Sequence, residues 1–174
     1  LSTVIIPIEP LFSKFTMSPN FEDDGIILAA TIEDGVFYSE DRGLSWQPSN
    51  FGLLDRCVLS IAISTNFARD ETVYAGTETG IYRSTNGGRA WHYTDFPNSF
   101  APVISLLVVD DSDLSLPMIL AATENKGLMC SRDQSKSWFR LTEEDMVKSV
   151  NDIIVKSCPN SSAKLFALAE KCVL

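Results

Sequence analysis

Short apolar stretches alternate with polar turn residues along the whole chain. In residues 58–94, β-branched and aromatic residues form four short runs separated by polar residues that include Gly, Asn and Asp. Apolar and polar residues alternate within these runs, and no segment repeats apolar residues at the spacing of a helix. The pattern therefore predicts four β-strands joined by tight turns, at about residues 58–64, 72–77, 80–84 and 90–94.

The same four-stranded unit recurs along the chain. The central alanines of its second strand are spaced 46 residues apart, at Ala29, Ala75, Ala121 and Ala167. A period in the forties with four antiparallel strands per unit is typical of β-propeller blades. We therefore predict an all-β propeller of four-stranded antiparallel blades. Its single domain, residues 1–174, would hold four repeats at approximately 1–46, 47–91, 92–138 and an incomplete 139–174.

Each of the first three units contains a polar segment that ends in tryptophan, between the third and fourth strands. We call these segments, at residues 39–46, 84–91 and 131–138, the Trp-ended turns. An Asp or Asn side chain in each is expected to accept hydrogen bonds from backbone N–H groups two or three residues further on. The Trp is expected to pack across its own hairpin. The residues expected to shape the turns are Ser39, Asp41, Gly43 and Trp46, then Ser84, Asn86, Gly88 and Trp91, then Ser131, Asp133 and Trp138.

The third Trp-ended turn departs from the pattern of the other two. Gly43 and Gly88 supply a positive φ without steric cost, but Ser135 stands at the same place in the third turn. We expect that turn either to relax or to hold Ser135 in the costlier left-handed conformation. Asn86, which replaces Asp in the second turn, should cap it nearly as well.

The Trp-ended turns resemble the Asp-box, or BNR, repeat, and the 46-residue unit extends this resemblance over the whole chain. The resemblance implies a propeller like those of sialidases, sortilin-type receptors and photosystem assembly factors. In that family the box is a structural turn on the propeller rim. The resemblance therefore implies a fold and leaves the function open.

The two ends of the chain are expected to complement each other. Counting back one period from Trp46 places the chain start in a fourth strand, which residues 4–8 would form. Counting forward places the chain end in a third strand, within the last unit at residues 150–174. Pairing such ends would remove an unprotected sheet edge. Three closures fit: a four-bladed ring, a head-to-tail homodimer with eight blades, or part of a longer propeller.

Composition and charge exclude several classes of function. The chain carries 14 Lys and Arg against 23 Asp and Glu, a net charge of -9, which would repel nucleic acids and anionic membrane surfaces. It contains no apolar run of the roughly 20 residues that span a bilayer, and no phosphate-binding glycine motif. We expect a soluble, acidic protein without cofactor, nucleic acid partner or membrane span, and the sequence assigns no compartment.

The cysteines do not form a metal-binding pattern. Cys57, Cys130, Cys158 and Cys172 include no C-x-x-C pair, and His92 is the one histidine available to join them. We expect no metal site and interpret the thiols as small buried hydrophobes. A disulfide between Cys158 and Cys172 is an alternative for an exported protein.

The residues that catalysis would need are scarce. A nucleophilic triad would have to use His92, which lies on an outer fourth strand, far from a central channel. The arginines Arg42, Arg89 and Arg132 lie in the Trp-ended turns and Arg83 directly precedes one, so we place them on the rim. The sequence lacks the Arg-Ile-Pro type motif of sialidases. A glycoside hydrolase with two carboxylates stays open, because their separation cannot be read from sequence.

Two features predict a binding surface. Acidic residues follow the second strand of each unit and could surround one mouth of the channel, favouring a cation or a basic segment of a partner; they are Glu33, Asp34, Glu78, Glu124 and Glu170. Variable connections at 49–56, 95–102 and 142–149 carry apolar side chains that either contact a partner or fill gaps between blades; these are Phe51, Leu53, Leu54, Phe96 and Phe100. We therefore expect a protein-binding or assembly scaffold, and the alternative is a glycoside hydrolase or carbohydrate-binding propeller.

Overall fold

A computed structural model describes residues 10–110, 116–141, 147–158 and 161–171. The strands are β1 Phe12–Met17, β2 Ile27–Thr31, β3 Val36–Ser39, β4 Gln47–Pro48, β5 Val58–Ile63, β6 Val73–Thr77, β7 Ile81–Ser84, β8 His92–Tyr93, β9 Val103–Val109, β10 Met118–Thr123, β11 Gly127–Ser131, β12 Phe139–Arg140, β13 Val147–Cys158 and β14 Ser161–Lys171. Two one-turn helices, α1 Phe21–Asp24 and α2 Phe67–Asp70, and a 3₁₀ turn, Asn98–Phe100, complete the described elements.

The strands form four antiparallel sheets in chain order. The described residues give three four-stranded sheets, β1 to β4, β5 to β8 and β9 to β12, and a two-stranded sheet of β13 and β14. We call them the first to fourth sheets. Each strand pairs with the next one along the chain, so every sheet is a meander. The all-β propeller fold is confirmed, and β5 to β8 lie within two residues of the four predicted strands at each end.

The one-turn helices were not predicted from the sequence. They follow the Ser-x-Asn-Phe segments at 18–21 and 64–67, and the serine side chain organises each turn. Ser64 Oγ accepts a hydrogen bond from Asn66 N (3.1 Å) and donates one to Asp70 Oδ2 (2.7 Å). Asp70 Oδ1 then accepts from Thr72 N at 2.9 Å, which leads the chain into β6. A four-residue helix is too short to produce a periodic apolar pattern, so periodicity could not reveal it.

The Trp-ended turns are held by side-chain hydrogen bonds, with a longer reach than predicted. Asp41 Oδ1 accepts from Ser45 N (2.8 Å), and Asn86 Oδ1 accepts from Ala90 N (2.8 Å). These donors lie four residues further on, beyond the expected reach of two or three residues. In the third turn Asp133 Oδ1 also accepts from Lys136 N, three residues further on, at 3.1 Å, as expected. The N–H two residues after the Asp or Asn bonds instead to the serine that opens the turn. In the first turn, Ser39 Oγ accepts from Gly43 N at 2.9 Å.

Each Trp-ended turn contains two consecutive residues with positive φ. The pairs are Arg42 and Gly43 at 64° and 85°, Gly87 and Gly88 at 70° and 90°, and Gln134 and Ser135 at 61° and 68°. The expectation that Ser135 adopts the left-handed conformation is therefore confirmed. The third turn holds two non-glycine residues in this conformation, which costs about 1–2 kcal/mol each.

Neighbouring sheets pack face to face through repeated positions. We call the side of a sheet that meets the preceding sheet its front face, and the side that meets the following sheet its back face. Leu28, Ala30 and Val36 on the back of the first sheet pack against front-face residues of the second, in one buried cluster. The corresponding cluster joins the back of the second sheet to the front of the third. A third cluster joins the third sheet to Val150 and Ile153 of the fourth.

The tryptophans lie between sheets and do not pack only across their own hairpins, as had been predicted. Trp91 is buried against the first sheet, and its Nε1 donates to Ser49 O at 2.8 Å. Trp138 packs edge to face on Phe96 with ring centroids 5.0 Å apart, and its buried Nε1 has no hydrogen-bond partner among the described residues. Trp46 donates to Gly43 O of its own turn at 3.1 Å, and its ring meets Phe15 of the same sheet edge to face, with centroids 6.0 Å apart.

The first strands of the four sheets adjoin one another around a shared axis. β1 contacts β5, β5 contacts β9, and β9 contacts β13. A cavity of about 380 Å³ lies between them, lined by residues of all four strands that include Lys14, Ile63 and Ile154. Serines link the strands: Ser13 Oγ donates to Val58 O (2.6 Å) and Ser60 Oγ donates to Val103 O (3.2 Å).

Some expectations fall outside the described residues. The strand predicted at 4–8, and Cys172 of the alternative disulfide, are among them. Cys57 and Cys130 are free thiols, the first half-buried and the second buried.

Candidate binding surface

The acidic residues predicted to bind lie on turns that a repeated threonine holds in place. Thr31 ends β2, and its Oγ1 donates to Gly35 O (2.8 Å) and accepts from Asp34 N (3.0 Å). Thr123 at the end of β10 makes the same pair of bonds, to Gly127 O (2.8 Å) and from Lys126 N (3.0 Å). Thr77 also bonds Gly80 O, and all three threonines are buried. The turns that follow are therefore fixed in shape while their acidic side chains extend outward.

Antiparallel meanders place these turns and the connections between sheets at the same end of the molecule. We call this end, formed by the turns after β2, β6 and β10 and the connections 49–57 and 94–102, the loop face. Glu33, Asp34, Glu78 and Glu124 are all exposed there. Glu170 does not lie in such a turn, because β14 continues through it to Lys171. The loop face thus carries four of the five predicted acidic residues.

Two of these acids, Glu33 and Glu78, lie near enough to act electrostatically on Cys57, which directly precedes β5. Burial is the largest effect on this thiol, and the negative charges of Glu78, Asp55 and Glu33 add to it; together they raise the pKa of Cys57 to about 11. The thiol therefore stays protonated and unreactive at neutral pH. The same interactions identify a local concentration of negative charge between the first and second sheets.

Asp55 is a member of this group that sequence reasoning missed. Its Oδ2 accepts from Thr79 N (2.9 Å) and from Thr79 Oγ1 (2.7 Å), and its Oδ1 accepts from Cys57 N (3.0 Å). These bonds tie the connection between the first and second sheets to the turn after β6. Asp55 lies in a variable connection, outside the repeated positions that the sequence comparison used.

The structure separates the apolar residues of the connections into two groups. Leu53 and Phe96 are buried at 3% and 2% exposure, and Phe100 is half-buried against Phe96, so these side chains fill gaps between sheets. Phe51 and Leu54 are 80% and 86% exposed. The two alternatives stated from the sequence therefore each hold for part of the set, and only Phe51 and Leu54 are available for contact.

The opposite end of the molecule carries the one-turn helices and the Trp-ended turns. Arg42 and Arg89 are exposed there, bonded to Glu22 O at 2.7 Å and to Glu71 Oε2 at 2.9 Å. Arg132 is also exposed and lies over the Phe139 ring. His92 is exposed on the outer strand β8, as expected.

Arg83 is the arginine whose position differs from the expected rim site. It is half-buried in a cleft of about 360 Å³ between the second and third sheets. Its Nη2 donates to Gln134 Oε1 (3.1 Å), and its guanidinium lies 5.9 Å from the centre of the Tyr74 ring. Arg83 therefore joins two sheets rather than facing solvent alone.

The chemistry available at the loop face is that of association. Fixed carboxylates raise the local negative potential, and the exposed Leu54 next to Asp55 offers apolar area to bury. Within the described residues, no group of three or more His, Cys, Asp or Glu is arranged to hold a metal ion. No helix in that part of the chain is long and apolar enough to cross a bilayer.

The fold and its loop arrangement define the class of protein: an all-β chain built from propeller blades. Neither a protein-family model nor a curated protein sequence matches it. Solved propeller structures do. An ancestral GH74 enzyme has a TM-score of 0.68 at 19% identity, over 88% of this chain and 22% of that chain. The GH74 xyloglucanase from Xanthomonas campestris has a TM-score of 0.61 at 15% identity, over 91% and 27%.

A third similar structure is that of YCF48 bound to D1 peptide, with a TM-score of 0.62 at 14% identity over 81% of this chain and 42% of that chain. This chain thus spans less than half the length of each of these three structures. At such identities the similarity establishes the fold, and the function must be argued from the surface.

Proposed function

We propose that this chain is an Asp-box propeller that acts as a non-catalytic protein-binding or assembly scaffold. Its loop face would bind a partner segment that carries both basic and apolar side chains. The observation that supports this best is the 86% exposure of Leu54. It directly precedes Asp55, whose carboxylate bonds Thr79 in the turn that carries Glu78. An apolar side chain within an acidic, well-fixed surface suits a ligand of opposite charge with an apolar anchor.

Assignment to the Asp-box family is supported by the shared hydrogen-bond pattern of the three Trp-ended turns. In each one the opening serine donates to the Asp or Asn that follows two residues later, at 2.8–2.9 Å. That Asp or Asn then accepts from the N–H four residues further on. Three copies of one network support the assignment beyond the sequence similarity of the turns.

A peptide-binding role is also supported by a structural neighbour. YCF48 has the same fold over most of this chain and is bound to a peptide in its own structure. Blades of this kind are therefore compatible with peptide recognition, which for this chain would use Phe51, Leu54 and the loop-face acids.

The proposal is tested with short synthetic peptides of three kinds: basic with apolar residues, acidic with the same apolar residues, and basic without them. Fluorescence anisotropy should detect binding of the first kind only, weakening as salt is raised. Glu78→Lys and Leu54→Glu should each weaken binding about tenfold or more. The matched control is Asp23→Lys, the same change of charge on an exposed acid at the opposite end. Equal binding of all three peptide kinds, or equal loss in the control, would contradict the proposal.

The GH74 neighbours make a carbohydrate-active propeller the second candidate, because two of them are enzymes of this fold. A panel of polysaccharides, assayed for binding and for released sugars, separates the two functions. We expect neither activity. Hydrolysis that is abolished by Glu78→Gln or Asp34→Asn in a folded chain would replace the scaffold proposal with a glycoside hydrolase.

A further inference from the structure

Two sheet faces at the ends of the blade series are exposed, although their equivalents inside the series are buried. On the front of the first sheet, Phe12, Phe15 and Phe37 lie in a chain of aromatic contacts that reaches Trp46. Phe15 is 51% exposed. On the back of the fourth sheet, Ile154, Phe166 and Leu168 are exposed beside one another and border a shallow cavity.

The repeat register shows what each face is built to meet. Phe15 and Ile61 hold equivalent positions, because Phe15 pairs with Ala29 as Ile61 pairs with Ala75. Ile61 is 3% exposed where the first two sheets pack face to face, a contact between sheets that we call a joint. Phe166 lies one period after Leu120, which is fully buried at the joint between the third and fourth sheets. The open front face and the open back face are thus two halves of a joint that this chain already forms between its own sheets.

We propose that a second copy of this chain covers both faces, with the front face of each copy packing on the back face of the other. Because the two open faces are of opposite kind, they are complementary to each other. Two copies related by a two-fold axis would make the joint twice and close a single ring.

Charge at the channel side supports the same pairing. The first strand of each sheet has one position that pairs with the residue directly after the repeated alanine of the second strand. From the first sheet to the fourth, these pairs are Lys14 with Ala30, Ser60 with Gly76, Ser105 with Ala122 and Asp152 with Leu168. On the third and fourth sheets the residues at this position contact each other, since Ser105 Oγ donates to Asp152 Oδ1 at 2.8 Å. In the proposed dimer the next pair would be Asp152 of one copy and Lys14 of the other. The two ends of the series therefore carry opposite charges at the position where they would meet.

The solution mass of the chain tests this directly, and the test does not depend on the proposed function. Sedimentation equilibrium should give twice the 19.2 kDa of one chain. Phe15→Lys alters only the front face and Phe166→Glu only the back face, and each alone should weaken self-association roughly 100-fold. Both residues are exposed within a single chain, so circular dichroism should show that the variants remain folded. Phe51→Glu, at a third exposed aromatic residue, is the matched control and should leave the dimer intact.

Mixing the two variants gives the sharpest result. A mixed pair contains one unaltered joint, and its other joint brings the two introduced charges of opposite sign together. The mixture should therefore form dimers under conditions in which neither variant does alone. A wild-type chain that sediments as a monomer at every concentration, or variants that do not recover association on mixing, would overturn the proposal.

Discussion

Trp91 and Trp46 occupy the same place in equivalent turns, yet their surroundings differ. Trp91 is 1% exposed between the first and second sheets, where its indole N–H reaches Ser49 O of the preceding connection. Trp46 is half-buried, and its N–H bonds only Gly43 O in its own turn. The difference shows that the turn fixes the position of the indole, whereas its burial comes from the neighbouring sheet.

Stability in this fold is therefore expected to depend on joints between sheets more than on the turns themselves. The Trp-ended turn of the first sheet should therefore tolerate substitutions that destabilise the chain when made in the Trp-ended turn of the second sheet. The contrast is measured most simply in dilute protein solution, where association between chains is least.

Removal of an indole should have the largest effect and should differ between the two sites. Trp91→Ala is expected to lower the free energy of unfolding by about 3–5 kcal/mol, because it leaves a cavity at a buried joint. Trp46→Ala should cost less than half of that, since its ring is already partly in water. Urea unfolding followed by circular dichroism measures both, and equal losses would contradict the comparison.

Adding a methyl group to the glycine of the turn should show the same contrast at smaller scale. A Cβ at Gly88 would lie 2.6 Å from Leu28 Cδ2 of the preceding sheet, and φ is +90°. At Gly43 the nearest atom would be 3.5 Å away, with φ at +85°. Gly88→Ala should therefore cost about 2–3 kcal/mol and Gly43→Ala about 1 kcal/mol, the latter from backbone strain alone. A larger loss at Gly43, measured by the same urea unfolding, would be inconsistent with this account.

Relief of strain in the third turn should be a smaller, stabilising change. Ser135 has a φ of 68°, where glycine would carry no steric cost. Ser135→Gly should raise the thermal midpoint and stabilise the chain by up to about 1 kcal/mol. The reverse change, Gly43→Ser, is the matched control and should destabilise. If Ser135→Gly destabilises instead, the bond from Ser135 Oγ to Gln134 O must outweigh the strain.

Acid should weaken the first and third turns and spare the second. Hydrogen bonds from Ser45 and Ser39 lower the pKa of Asp41 to about 2, and those from Ser137 and Ser131 do the same for Asp133. Unfolded Asp titrates near pH 3.9, so the stabilisation is complete above about pH 4 and is lost as the pH falls toward about 2. Asn86 carries no titrating group.

The variant Asp41→Asn, Asp133→Asn should keep the turns, as Asn86 does, and should lose less stability between pH 4 and pH 2. Unfolding curves at a series of pH values measure this. A slope identical to that of the wild-type chain over that interval would show that these carboxylates contribute nothing to acid sensitivity.

The sequence predicted the features that repeat and missed those that depend on a neighbour. The alanine period and the Trp-ended turns defined the sheets, because strand alternation and turn chemistry are local. Leu53 and Leu54 illustrate the limit: they are adjacent apolar residues, and only the path of the connection between two sheets decides that one is buried. Asp55 was missed for the same reason, since its partner Thr79 belongs to a different sheet. At the candidate site, sequence reasoning found the exposed acids of three turns but placed Glu170 in a turn that the structure replaces with strand.

The central claim is that the repeated units pack front to back, with the indole of Trp91 buried between the first and second sheets. Labelling with 5-fluorotryptophan and comparing ¹⁹F shifts in H₂O and D₂O measures the exposure of each indole in one sample. At low protein concentration we predict a solvent shift at Trp46 and almost none at Trp91. Equal solvent shifts at these two residues would show that the inner joint is not formed.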